Sequence, residues 1–386
     1  MPGPLDGIAV VELTTMITGP LTGMMLADMG ADVVKIENPE GGDPFRSYGG
    51  GAYSAQFCSY NRNKRSLAIS LRTDLGRQAL ERLVQRSDVL LENFRPGVLD
   101  RLGFPDARLV ELNPRLVRCS ITGFGADGPY SDRPCYDAIA QALSGMSSQF
   151  LDAAAPRLSG TTISDNVTGQ YACYGILSAL LERERKGVAR RVEVNMLEAT
   201  VAFMPEPFGY WTQNGEVADA YLRIRNSQAY AFRCADGRMV AIHLSSQPKF
   251  WAGLLGAIAR PDLGADPRFA TLEGRIANYE ILLAEAGVDF ARQPATHWFQ
   301  RLAEFDVPFA SVNDVTEVFA DPQVKHLDSF YGLTHPVKGD LVSVRRPVRF
   351  DGSRADQPAE APPMLGEHTD AILAELGLAR EAAAAG

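Results

Sequence analysis

Two short apolar runs, 8–13 (IAVVEL) and 32–37 (DVVKIE), flank a helical stretch at 21–29 that Gly30 is placed to stop. An apolar run without an alternating polar face suits a strand covered on both sides. A strand, a helix and a second strand in that order pair in parallel, because a parallel crossover needs a long connection and the helix supplies it. The alternation continues, with strands expected at 67–71, 89–92, 116–122 and 191–195. Helices are expected at 74–87 (with Asp74 as its cap), at 137–146, within 160–187 and at 197–210. This pattern specifies an α/β chain: a Rossmann-like, doubly wound large domain whose ligand loops lie at the C-terminal ends of its strands.

The texture then changes. A polar stretch at 213–225 with no apolar period reads as a linker. Runs at 228–234 and 239–244 flank Asp236-Gly237, a hairpin signal. Helices are expected at 250–258, 275–286 and 296–305, strands at 341–344 and 348–350, and a last helix at 369–376 before an alanine-rich tail expected to fray. At 386 residues the chain is too long for one ordinary core. The expected division is a large domain at 1–212, the linker at 213–225, a smaller α+β domain at 226–325, and a last segment at 326–386.

A formal net charge of −9 without any Lys/Arg block argues against a nucleic-acid surface. An anionic ligand would then be met by local arginines or helix N-termini. No run approaches a membrane span, and the opening MPGPLDGIAVVEL lacks a basic, cleavable leader, so a cytoplasmic protein with no membrane partner is expected. Five cysteines without a C-x-x-C pair suit reduced thiols better than a disulfide or zinc frame, and no metal is expected. The first of five histidines is His243, so chemistry in the first half must run without imidazole.

Gly123–Gly128 (GFGADG) matches G-x-G-x-x-G, but Pro129 follows and no helix begins within it, so NAD is not expected. NFRPGVLDR (93–101) leaves a parallel strand carrying an amide and two guanidiniums, groups suited to phosphate oxygens, while NRNKR (61–65) reads as a solvated cationic turn. In 160–187, Val167, Tyr171, Tyr174, Leu177 and Leu181 share one helix face. Gly169 and Gly175 lie within that helix, and Asp165 stands at its start, where an ordinary N-cap and a chemical role are both open.

Taken together, PLDGIAVVELTTMITGP, LADMGADVVKIENPEGGD, VLLENFRPGVLDRLG, ITGFGADGPYSDRP, SDNVTGQYACYGILSALLERERKG and PPMLGEHTDAILAELG resemble the class III CoA-transferases of the CaiB/BaiF type, the group of formyl-CoA transferase and carnitine CoA-transferase. The resemblance runs nearly end to end. It implies a large domain that combines the N-terminal part with a return segment at 326–386, an interlocked homodimer, coenzyme A or acyl-CoA as substrate, and a small carboxylic acid as the other substrate. It implies Asp165 as nucleophile, forming an aspartyl-acyl anhydride and then an aspartyl-CoA thioester. It also implies CoA contacts from Ile17, Thr18, Arg72, Asn93, Phe94, Arg95, Arg101, Arg133 and Tyr136.

Three departures from formyl-CoA transferase stand out. Ile17 and Asn38 occupy positions where it has glutamine and arginine, 210–262 lacks a glycine run, and Arg133 stands near the place of a missing lysine. They weigh against formate/oxalate specificity while leaving CoA transfer. Two alternatives follow the same fold. An acyl-CoA racemase would need a histidine in the segment held by Cys135, Tyr136 and Asp137, and it has none. A non-catalytic CoA-binding protein would not need Asp165.

Overall fold

The computed structural model describes residues 2–152, 154–158, 160–245 and 247–379; the alanine-rich tail lies outside them. The chain forms two compact units. One comprises Met1–Ser147, Leu158–Pro205 and Leu327–Gly386, the other Ser148–Arg157 and Glu206–His326.

The first unit is a six-stranded parallel sheet of β1 (Ala9–Leu13), β2 (Asp32–Glu37), β3 (Lys64–Ala68), β4 (Val89–Glu92), β5 (Val117–Thr122) and β6 (Arg191–Asn195), ordered β3-β2-β1-β4-β5-β6. This is the doubly wound order, and it reverses between β1 and β4. Successive side chains serve opposite faces. Val11, Val34 and Leu67 pack with Leu80, Leu83, Ile372 and Leu373, while Val10, Val33 and Leu91 pack with Leu26, Cys173, Ile176 and Leu180. The return segment supplies an antiparallel hairpin, β10 (Phe330–His335) and β11 (Gly339–Val344), and the helix Thr369–Glu375. The second unit is α+β: β7 (Ala229–Arg233), β8 (Met239–His243) and β9 (Phe309–Ser311) form an antiparallel sheet. Its core is aromatic, with Phe232 stacked on Phe290 at 4.2 Å and Phe290 against Trp298 at 4.5 Å.

Several boundaries differ from the sequence reading. β3 begins at Lys64, so NRNKR is not a solvated turn: Asn61, Arg62 and Lys64 are buried, with Arg62 paired to Asp28 and Lys64 to Glu12. The first helix starts at Thr18 because Pro20 sits in its first turn, where a missing N–H costs nothing. Thr73, not Asp74, caps the Asp74–Arg86 helix through Gly76 N–H. The expected 197–210 helix is broken before Pro205, and helical turns at Pro205–Gly209, Tyr210–Asn214 and Leu222–Ser227 run into the stretch read as a linker. The expected strand at 348–350 is only a bridge between Phe350 and Ser353.

The Ile163–Lys186 helix also turns a different face inward. Tyr174 is 69% and Leu181 52% exposed, whereas Thr168, Ala172, Cys173, Ile176 and Ala179 are buried. Small residues let this helix approach its neighbours closely. A Cβ on Gly169 would lie 2.8 Å from Thr18 O and 3.0 Å from Leu21 Cδ2, and one on Gly175 would lie 2.6 Å from Val192 Cγ1. Gly169→Ala is therefore expected to cost about 1–3 kcal/mol through overpacking, against the roughly 1 kcal/mol that alanine gains as a helix former. Urea unfolding midpoints check this, with Gln170→Ala on the exposed side expected to stay within about 0.5 kcal/mol.

Candidate active site

The loops leaving β1 and β4 meet where the strand order reverses. Asn93 joins them: its Oδ1 accepts the Thr15 N–H at 3.0 Å, and its Nδ2 donates to Thr15 O at 2.8 Å and to Thr18 Oγ1 at 3.3 Å. Its amide is thus spent on the backbone of the neighbouring loop. Glu92 Oε2 accepts the Phe94 N–H at 2.7 Å and shapes the second loop.

Above them is a cleft of about 300 Å³ lined by Thr15, Met16, Ile17, Thr18, Asn93, Phe94, Arg95, Arg133, Cys135, Tyr136 and Asp165, among others. Eight of the ten residues expected in the site therefore share one cavity: Asp165, Ile17, Thr18, Asn93, Phe94, Arg95, Arg133 and Tyr136. Arg72 instead lines a neighbouring cavity of about 510 Å³, which shares Thr15 and Phe94 with the first. Arg101 lies at the end of the short Val98–Arg101 helix, exposed and turned back toward Gly97. It lines neither cavity, although Val98 of the same helix and Leu102 after it line the larger one.

Asp165 stands in the first turn of its helix, after Thr162 at the N-cap. It does not cap that helix. Asp137 does so instead, its Oδ1 accepting the Asp165 N–H at 3.1 Å while Gln141 Nε2 donates to Asp137 Oδ2 at 2.6 Å. Ile163 and Asn166 give their N–H groups to Thr161 and Thr162, so the helix start offers few spare donors. Among the described residues, no side chain or backbone group bonds or ion-pairs with the Asp165 carboxylate. Burial, and then the nearby Asp137 charge, push its pKa up to about 7. Both effects disfavour the ionised form and outweigh the helix dipole.

Sequence reasoning missed the parts that Asp137 and Cys135 play in this wall. A Cβ on Gly123 would lie 2.3 Å from Cys135 Cβ, so this glycine of the GFGADG motif admits the strand-following loop that carries Cys135 and Tyr136. The next helix begins only at Asp137. Burial and the charge of Asp165 hold the Cys135 thiol up at about 11, which leaves it protonated and unreactive. Arg95 and Arg133 are exposed at the cleft mouth, Arg133 resting 3.8 Å over the Tyr130 ring. Neither meets a carboxylate among the described residues. No described His, Cys, Asp or Glu cluster has the arrangement of a metal site, and no described helix is long and apolar enough to cross a membrane.

A doubly wound sheet with a cleft at its switch point, lined by a carboxylate and two guanidiniums that have no ionic partner among the described residues, defines an α/β protein with its candidate site at the strand ends. A family model described as CoA-transferase family III matches residues 5–369. The chain is 36% identical over 384 residues to acetyl-CoA:oxalate CoA-transferase of Acetobacter aceti, covering 97% of this chain and 96% of that protein. It is 33% identical to formyl-CoA:oxalate CoA-transferase of Streptomyces avermitilis, covering 98% and 96%. A CAIB/BAIF family protein from Brucella suis has the same fold, with a TM-score of 0.85 at 32% identity, covering 97% of this chain and 100% of that one. The chain belongs to CoA-transferase family III and is an enzyme of that class.

The raised pKa has a consequence for stability. Unfolded, Asp165 ionises near pH 4; folded, near 7. No penalty exists below about pH 4, and it grows as pH rises to about 7, where the folded state must hold an unpartnered charge. Asp165→Asn is expected to be more stable than the unaltered enzyme near pH 8 by about 1–4 kcal/mol, with the advantage gone near pH 4. Melting curves of both proteins across this range check it; parallel pH profiles would contradict it.

Proposed function

We propose that the enzyme moves CoA from an acyl-CoA to a free carboxylic acid through Asp165. The observation that carries this reading is the Asp165 carboxylate: half-buried, without a bonding partner among the described residues, and lining a cleft at the sheet's switch point. In water a carboxylate is a weak nucleophile; stripped of hydrogen bonds it is stronger. It attacks the thioester carbonyl, and the C–S bond breaks to release CoA thiolate and leave an aspartyl-acyl anhydride. The thiolate attacks the aspartyl carbonyl, freeing the donor's carboxylate and forming an aspartyl-CoA thioester. The acceptor carboxylate attacks that thioester, thiolate leaves again, and its attack on the acceptor carbonyl of the second anhydride gives the new acyl-CoA and restores Asp165.

Each step exchanges an acyl group between a carboxylate and a thiolate, so none needs a strong base. This suits a cleft in which no lining residue is histidine. His335 and His368 enter the first unit from the return segment, but His335 packs on Tyr53 and His368 accepts the Ser66 N–H. Proton exchange at the α-carbon of an acyl-CoA, the racemase alternative, has no imidazole to carry it.

The Asp165 cleft takes the thioester, and the adjoining cavity holding Arg72 takes the nucleotide end, with Arg95 and Arg133 as cations at the mouth. Arg101 falls outside this arrangement. The relatives' names make oxalate the first acceptor to try and acetyl-CoA and formyl-CoA the first donors; Ile17, on the Asp165 cleft, marks where acceptor choice can diverge. The domain division read from composition and an interlocked homodimer belong to the same proposal. Tyr174 and Leu181, exposed on the long helix, support a second copy of the chain.

Incubation with acyl-CoA and hydroxylamine is expected to convert Asp165 to its hydroxamate, and Asp165→Ala to lose both the adduct and transfer. Full transfer by the alanine variant would sink the mechanism. Because the ionised carboxylate attacks, kcat/KM is expected to fall about tenfold per pH unit below about 7.

A further inference from the structure

We infer that Asp43, fixed by the buried Lys35, is a positioning residue that holds one wall of the acyl-CoA cleft preformed. The inference rests on the acyl-CoA reading above. Met16 lines the cleft in the left-handed region, at φ 69°, a conformation disfavoured for a side chain of its kind. Its N–H is held between both carboxylate oxygens of Asp43, at 3.2 Å from each. The same carboxylate accepts the N–H of Phe45, a second lining residue, at 3.0 Å. Lys35 Nζ stands 3.1 Å from it and donates to Thr14 O at 2.6 Å, just ahead of Met16.

One carboxylate thus sets two segments that are far apart in sequence. The apolar cluster there, Ile17, Phe45 and Phe57 with Met16 at its edge, is separate from the two cores of the first unit and small. It cannot by itself hold a strained residue in place. Asp43 borders the cavity beside the cleft, but at 1% exposure and with three partners it has no bonding capacity left for a ligand. It acts on substrate through Met16 and Phe45. Without it, the 15–18 loop is free to relax to an ordinary conformation, and only the fraction still preset binds at full strength.

The test is Asp43→Asn, which keeps the shape and removes the charge. CoA binding, measured by calorimetry, is expected to weaken about tenfold, and the KM for acyl-CoA to rise in step. The acceptor's KM, kcat at saturation and the pH midpoint of Asp165 stay where they were. Adding Met16→Asn, which tolerates the left-handed region, is expected to recover most of the lost CoA affinity, a rescue that a merely structural role would not give. Should Asp43→Asn fail to fold, Met16→Val leaves Asp43 in place and, being β-branched, resists φ 69°; it is expected to weaken CoA binding to a similar extent. Unchanged CoA affinity in Asp43→Asn or Met16→Val, or no rescue by Met16→Asn, overturns the role of Asp43 alone. An unaltered enzyme that binds no CoA overturns the acyl-CoA reading along with it.

Discussion

Lys35 has no exposed atom, and its charge is the fixed point around which the β1 end of the sheet is assembled. An isolated buried ammonium is prohibitively costly, so the surroundings must supply anions and carbonyl oxygens. Glu12 from β1 lies 3.0 Å away, Asp43 3.1 Å, and Thr14 O 2.6 Å. Against its own burial, these carboxylates hold the lysine firmly protonated. Lys64 on β3 meets the other side of Glu12, but its burial prevails and its pKa falls to about 8. Three neighbouring strands are therefore tied by side-chain charge as well as by their ladders. The arrangement extends into the helix at Thr18–Ala27, where a Cβ on Gly23 would lie 1.9 Å from Glu12 Oε2. A second buried pair, Glu37 with Arg46, accepts the Asp43 N–H and closes the network below the cleft.

The site inherits its character from how charge is distributed around it. Carboxylates beneath the cleft are paired with lysine or arginine, and the capping duty at the long helix falls to Asp137. That division leaves the Asp165 carboxylate without a bonding partner among the described residues, and burial, with the Asp137 charge, lifts its pKa. In the proposed mechanism, reactivity would come from what has been taken away from Asp165 rather than from a base set beside it.

The parallel sheet was legible because strand after strand was short, apolar and separated by a helix; β1, β2, β4, β5 and β6 lie close to where the alternation put them. β3 did not, because Lys64 and Arg62 look like surface residues until their partners, far away in sequence, are known. The buried face of the long helix was misread for the opposite reason. Its packing residues are small and partly polar, such as Thr168, Gly169, Ala172 and Ala179, whereas its largest apolar side chains point outward. Asp165 itself illustrates the limit: local pattern could not separate a cap from a nucleophile, and only resemblance singled it out. That Asp137 carries the cap, that Asn93 is spent on Thr15, and that Arg101 turns away depend on contacts across many residues, which no local period encodes.

The topology has one more consequence, for the order in which the molecule can be made. Ile372, Leu373 and Leu376 fill the same core as Val11, Val34 and Leu67, and Leu365 N–H bonds to Tyr53. Emerging from the ribosome, the sheet is complete in strands while this face is only partly covered, by Leu80, Leu83 and their neighbours, long before the last helix arrives. The second unit, by contrast, has most of its chain between Glu206 and His326 and can close while the first still waits. The exposed face of a nearly finished sheet is the kind of surface chaperones recognise, and the interval in which they would be needed is set by how far along the chain the last helix lies.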